Sequence, residues 1–206
     1  MANDVPANSR PCTGSGTSGA PPYHHGDLKS ALLVAAEQIL RDHGPAGLTL
    51  RAAARGAGVS HAAPTHHFRD LSGLLSELAA VGFRRFADHL AQAALSAGPD
   101  PGDRMAALGK AYVSFARADP NLFLLMFRGE RLDRGRPALR DAANEAFAVL
   151  RHSAAAQAPP AADPMVEAIR AWSLVHGFAL LLIDGQLPPD RSPDDLLDAM
   201  LSHRLP

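Results

Sequence analysis

The chain has 206 residues, 47% of them hydrophobic, which is enough for one large or two small domains around a sizeable core. A formal net charge of −1 argues against wholesale binding of polyanions. A single cysteine, Cys12, excludes a disulfide framework and a cysteine-rich zinc module. Only 5% of the residues are aromatic, alanine is abundant, and no alternating strand pattern is present. The expectation is an all-α protein.

Residues 1–22 are rich in Gly, Ser, Pro and Thr and read as a disordered tail, with Arg10 its one basic residue. No apolar h-region opens the chain, and no apolar run reaches the ~18 residues that a membrane span needs. A cytoplasmic protein without membrane association is therefore expected.

In "YHHGDLKSALLVAAEQILRDHG", Asp27 is a candidate cap, and Leu28, Leu32, Ala35, Ala36, Ile39 and Leu40 recur at helical spacing. Gly44 and Pro45 stop this helix. Thr49 is the expected N-cap of a short helix ending near Gly56. Gly58 then permits a tight turn, Val59 buries beneath it, and Ser60 is the expected cap of a second short helix. Two short helices about a Gly-containing turn match helix-turn-helix geometry. Further helices are predicted over 70–95, 102–118, 120–128, 136–158, 164–185 and 192–203, separated by Pro/Gly punctuation. The stretch "IRAWSLVHGFALLLIDG" is apolar on nearly every face, so it belongs inside a core or a subunit interface.

The segment "GVSHAAPTHHF" holds three histidines within seven residues. A zinc site fits poorly, because His61 and His66 are five apart and His66 and His67 diverge by about 100° on a helix. Catalysis fits poorly too, with no nucleophile elbow, no phosphate-binding Gly loop and no paired carboxylates. Neither a metal nor a cofactor is expected, nor an enzyme. A major-groove recognition helix accounts for more of these residues. Ser60, His61, Ala62 and Ala63 sit at its entering end, Thr65, His66 and His67 follow one turn later, and Phe68 plugs the motif from beneath. Helix N-termini favour phosphate oxygens, which gives Thr49 and Ser60 a second role. Residues 23–71 hold five basic and four acidic side chains, so nucleic-acid affinity must come from local placement.

The residues 49–75, "TLRAAARGAGVSHAAPTHHFRDLSGLL", resemble the TetR-type transcriptional regulators. Thr49, Ala53, Ala57, Gly58, Val59, Ser60, His67, Phe68 and Leu74 match that family's helix-turn-helix pattern. The opening "YHHGDLKSALLVAA" resembles one branch, whose C-terminal domain carries Trp, His and Gly, here Trp172, His176 and Gly177. The resemblance implies a bacterial homodimer that binds a double-stranded, pseudo-palindromic DNA operator and is released by a small-molecule effector. Its domains would be 23–70 for DNA and 71–206 for ligand and dimerisation. Two positions depart from the pattern. Thr65 replaces the usual Tyr and Leu71 the usual Lys, both commonly phosphate contacts in the family. Their loss weakens sequence-independent affinity unless Lys29, Arg51, Arg55 or the histidines compensate. Histidines protonated near their reference value of ~6.5 would strengthen phosphate contact in mild acid. The alternative function is a helical ligand- or protein-binding protein with weakened DNA binding.

In the C-terminal half, Tyr112, Phe115, Phe123, Met126, Phe127, Phe147, Trp172 and His176 are candidates to line an apolar, small-ligand cavity. Leu180, Ile183, Leu197, Met200 and Leu201 on the last two helices are the expected dimer seam.

Overall fold

Proline opens five of the helices, because its missing N–H is unpaired in a first turn anyway and its fixed φ suits helix entry. The computed structural model describes residues 25–202, with side chains from Leu28 onward. The expected tail 1–22, Cys12, Tyr23, His24 and the end of the chain beyond Ser202 lie outside the described residues. Among the described residues every regular element is a helix: α1 (His25–Gly47), α2 (Leu50–Gly56), α3 (Ala63–Phe68), α4 (Leu71–Ser96), α5 (Pro101–Ala118), α6 (Pro120–Arg128), α7 (Pro137–Gln157), α8 (Pro164–Ile183) and α9 (Pro193–Ser202). Asp100, Asp119 and Asp163 accept hydrogen bonds from the first backbone N–H groups of α5, α6 and α8. The expected helices are thus present, most of them within two residues of their predicted ends.

Two local expectations need correction. Backbone at His25 is already helical, so Asp27 lies inside α1 rather than capping it. Gly44, at φ 67°, breaks the regular helix as expected, but Pro45 opens one more turn that runs to Gly47. Ser60 does not cap α3 either, for a reason given below.

α4 is the central helix. It packs on α1 and α3 near its start and on α5, α6 and α7 further along. Leu74, Leu78, Ala79, Ala80, Phe83, Phe86 and Leu90 form its buried face. The main core is continuous from Leu32, Leu40, Leu48 and Phe68 at one end to Val175 and Ala179 of α8 at the other. A smaller cluster joins Val113, Phe178 and Leu197.

Two buried carboxylates tie α1 to the rest. Glu77 of α4 accepts from Lys29 at 2.8 Å and from Arg136, ahead of α7, at 3.0 Å. Burial pushes the Glu77 carboxyl up, but hydrogen bonds and charge from Lys29 and Arg136 outweigh it and hold the group below its ordinary range. Glu37 of α1 accepts from Arg85 at 2.6 Å and from Arg41 at 3.0 Å, and Arg41 also reaches Asp119 at the α5–α6 corner.

α8 is long and apolar enough, by length and composition, to cross a membrane, which the sequence reading had not recognised. It packs here on α5 and α7. It is not buried on all sides: Met165, Val166, Ile169 and Leu181 are exposed.

Candidate functional site

The first candidate site is the face built by α2, α3 and the turn between them. Thr49 caps α2, its Oγ1 accepting from Ala52 N at 3.0 Å. Gly58 turns the chain at φ 68°, where a side chain would be strained. Val59 packs half-buried on the core, and Phe68 is fully buried. α3 starts at Ala63 because of Pro64. A helix capped at Ser60 would place Pro64 at the first position whose N–H must bond back, to the Ser60 carbonyl. That bond cannot form and the ring would strike the carbonyl. Starting at Ala63 puts Pro64 in the first turn, where no N–H is needed. Ser60 therefore contributes only its backbone carbonyl, to Ala63 N at 3.1 Å, and its expected capping and α3 phosphate roles fall away.

Thr49, Arg51, Ser60, His61, Ala62, Thr65 and His66 are exposed on this face, with Ala63 and His67 half-buried. Arg51, Arg55 and Arg69 are also exposed and carry no ion pair among the described residues. Sequence reasoning did not single out Arg69. It ends α3 at φ 73°, a conformation that an arginine rarely adopts. Lys29, a further candidate to compensate for the lost phosphate contacts, pairs with Glu77 at 2.8 Å. Leu71 is half-buried against the core and packs where a cation would stay in water.

The second candidate site is a half-open cavity of about 570 Å3 bordered by α4 to α9. Phe83, Phe86 and Leu90 form its α4 wall, and Leu108, Gly109 and Tyr112 its α5 wall. Small residues make the space: Ala143, Ala146 and Ala154 of α7 leave room that larger side chains would fill, whereas the room beside Gly109 of α5 is taken by Leu201 and Val175. Of the residues expected to line a cavity, Tyr112, Phe127, Phe147 and Trp172 do so. Phe123 and Met126 do not. Both are fully buried in the core, Met126 so close to α4 that a Cβ at Gly82 would sit 2.7 Å from its sulfur. Phe115 packs instead on Phe86, at 5.0 Å between centroids, and on His89.

His176 stands behind the wall. Its Nδ1 lies 2.8 Å from the Tyr112 hydroxyl, which also accepts from Trp172 Nε1 at 3.1 Å. Burial lowers the His176 pKa from its ordinary 6.5, and the positive charge of Arg128 lowers it further. Burial likewise pushes the Tyr112 hydroxyl up. Tyrosine therefore keeps its proton and donates it to a neutral His176, while the donor-only indole of Trp172 feeds the tyrosine oxygen. Among the described residues no group of three or more His, Cys, Asp or Glu side chains gathers to hold a metal ion.

Two family models match the chain. One, described as bacterial regulatory proteins of the tetR family, matches residues 32–78, and the other, the tetracyclin repressor-like C-terminal domain, matches residues 105–203. The chain belongs to the TetR family. Among solved structures, a protein of unknown function from Rhodococcus sp. RHA1 is 36% identical with a TM-score of 0.78, over 88% of this chain and 95% of that one. The transcriptional regulator FadR from Bacillus subtilis, in complex with stearoyl-CoA, is 13% identical with a TM-score of 0.66, over 84% and 95% of the two chains. The multidrug binding protein EbrR, complexed with ethidium, is 23% identical with a TM-score of 0.61, over 86% and 98%. The last two likenesses are of fold alone. No curated protein matches this chain.

This TetR-family protein is thus a transcriptional regulator with DNA-binding and ligand-binding parts. The two sites share α4, whose first turn carries the end of the helix-turn-helix and whose middle lines the cavity. The Tyr112–His176 pair has a pH consequence. The folded regulator resists protonating His176, whereas the unfolded chain takes the proton near 6.5. Stability from this site is complete above about 6.5 and is lost as pH falls from there through the folded value. An NMR titration of the His176 ring is expected to show a midpoint below 6.5. A midpoint at or above it would remove both the pH effect and the proton assignment.

Proposed function

We propose that the chain is a homodimeric repressor, released from a pseudo-palindromic operator when a small, largely apolar ligand enters the cavity. The observation that carries this reading is the sharing of α4: one helix packs at Gly73 against the end of α3 at Phe68, and lines the cavity at Phe83, Phe86 and Leu90. A ligand that favours one tilt of α4 would change the spacing of two recognition helices, by no more than its differential affinity for the two arrangements. The clamps at Glu77 and Glu37 would carry that tilt into α1.

On the DNA face, Ser60, His61, Ala62, Ala63, Thr65, His66 and His67 are the proposed groove residues, with Thr49 and Arg51 at the backbone. Arg55 and Arg69 are further candidates for phosphate. We read the working domains as 23–70 and 71–206, and the protein as a cytoplasmic non-enzyme. In the proposed dimer, the seam lies on the exposed side of α8. All five residues first expected there turn inward. Leu197 is buried against Val113 and Phe178, Leu180 and Ile183 pack on the main core, and Met200 and Leu201 border the cavity.

The test is selection of bound duplexes from a random pool at low and moderate salt. The expected result is an enriched palindrome that survives moderate salt. Arg51→Ala should then weaken binding to all sequences and flatten the slope of log K against log salt by about 0.9. No enrichment at either salt would favour the second reading, a helical binder whose DNA affinity has decayed, for which Thr65 and the half-buried Leu71 speak.

A further inference from the structure

The charges around the cavity restrict its occupant. Among the residues that line it, the ionised side chains are Arg134, Glu167 and Arg170. Glu167 and Arg170 pair with each other at 3.1 Å, one helical turn apart on α8. Among the described residues, exposed Arg134 makes no ion pair with a carboxylate. Its Nη2 donates to the Phe127 carbonyl at 3.2 Å, which leaves a full positive charge and further N–H groups at the cavity edge. The carboxylate of its neighbour Asp133 turns to Gly135 N, at 3.1 Å, and makes no ion pair with Arg134. The other polar groups are already engaged. The Tyr112 proton goes to His176, the Trp172 N–H goes to Tyr112, and the Gln157 amide turns to the Pro101 carbonyl.

A cationic ligand would find aromatic faces but no unpaired carboxylate, and would have to leave its charge beside Arg134. A neutral apolar ligand would leave this exposed guanidinium to water and gain nothing from its charge. An anion satisfies it by charge-assisted hydrogen bonds, bidentate where the anion is a carboxylate. We propose that the cavity takes an apolar monocarboxylate, its hydrocarbon body against Phe83, Phe86, Phe147 and Trp172 and its carboxylate on Arg134. At about 570 Å3 the cavity falls in the range that buries most of a drug-sized molecule. This ligand class rests on the proposed function of the cavity. It also suggests how binding is felt. Arg134 is two residues from Arg136, which grips Glu77, which grips Lys29 of α1.

Trp172 is the single tryptophan of the chain and lines the cavity, so its fluorescence reports occupancy. The full-length protein is titrated with decanoate, decanol and decylammonium, each below its micelle concentration. Decanoate is expected to bind about tenfold or more tighter than the other two. Arg134→Met should erase that advantage while leaving decanol unchanged, and Arg134→Lys should keep most of it. The inference is overturned if decylammonium binds as well as decanoate, or if Arg134→Met keeps the preference. Operator release is read in parallel. Decanoate that binds through Arg134 without disturbing the operator complex upholds the ligand class and refutes the release mechanism. No response to any of the three probes refutes the cavity reading and the ligand class together.

Discussion

Replacing Gly73 with alanine is expected to destabilise the protein by about 3 kcal/mol and to abolish operator binding. A Cβ at this position would lie 1.9 Å from the backbone oxygen of Phe68 and 3.0 Å from the Arg136 guanidinium. The first contact is the severe one, because a backbone carbonyl cannot rotate away as a side chain can. Relief requires α3 and α4 to separate at the corner made by Arg69 and Asp70. Phe68 is fully buried and Asp70 caps α4 through Gly73 N at 2.8 Å, so separation loosens the plug and breaks the cap together. The second contact pushes Arg136 away from Glu77, the junction between α4, α7 and α1. Gly135→Ala is the comparison, since a Cβ there meets only the Asp133 carboxylate, at an ordinary 3.4 Å. Denaturant midpoints and operator affinities of the two variants decide the matter. A Gly73→Ala protein with wild-type midpoint and affinity would show that the corner yields, and that its geometry does not set the DNA face.

What the sequence disclosed follows the range of the interactions involved. Thr49 bonds three residues ahead, and the prolines at 101, 120, 137, 164 and 193 act on their own turn. These local signals place helix ends well. Ser60 misled because two local rules conflicted. Serine favours the cap position, but Pro64 forbids a helix starting there, and the cost of an interior proline exceeds the gain from a cap. The cavity was half legible. Phe127, Phe147 and Trp172 line it, whereas Phe123 and Met126, of the same chemical types on the same helix as Phe127, lie sealed in the core. Their difference is one of helix rotation, which depends on partners far along the chain. The residues that open the space, Ala143, Ala146 and Ala154, have no chemistry to draw notice. Arg134 sits in a turn, and only the fold brings it to the cavity rim. His176 drew notice as a possible ligand contact, and its partner proved to be a tyrosine from α5, 64 positions away.

The double variant Ile169→Glu, Leu181→Glu is expected to convert a dimer into a monomer and to lower operator affinity by about 10²–10⁴-fold. Met165, Ile169, Ser173, Gly177 and Leu181 recur every four residues along α8, a row of the kind that interdigitates when helices pack in pairs. Met165, Ile169 and Leu181 are 42%, 43% and 47% exposed, along a ridge that winds slowly around the helix. Within the row, Ser173 and Gly177 are small, and nothing in the protomer occupies the space beside Gly177. A second α8 could approach closely there, with the larger side chains closing on either side. Two carboxylates on this stripe would face their own copies across a two-fold axis, where like charges stripped of water repel. The protomer core would be unaffected, because neither residue belongs to it. Unfolding of the isolated chain should therefore change little while the molar mass in solution halves. The loss of affinity follows from geometry: two recognition helices on one body bind two half-sites at high effective concentration, and separate protomers do not. Sedimentation of wild type and variant, alongside operator titration, separates the alternatives. A variant that stays dimeric would move the seam elsewhere, and a wild-type monomer would leave this stripe without the partner proposed for it.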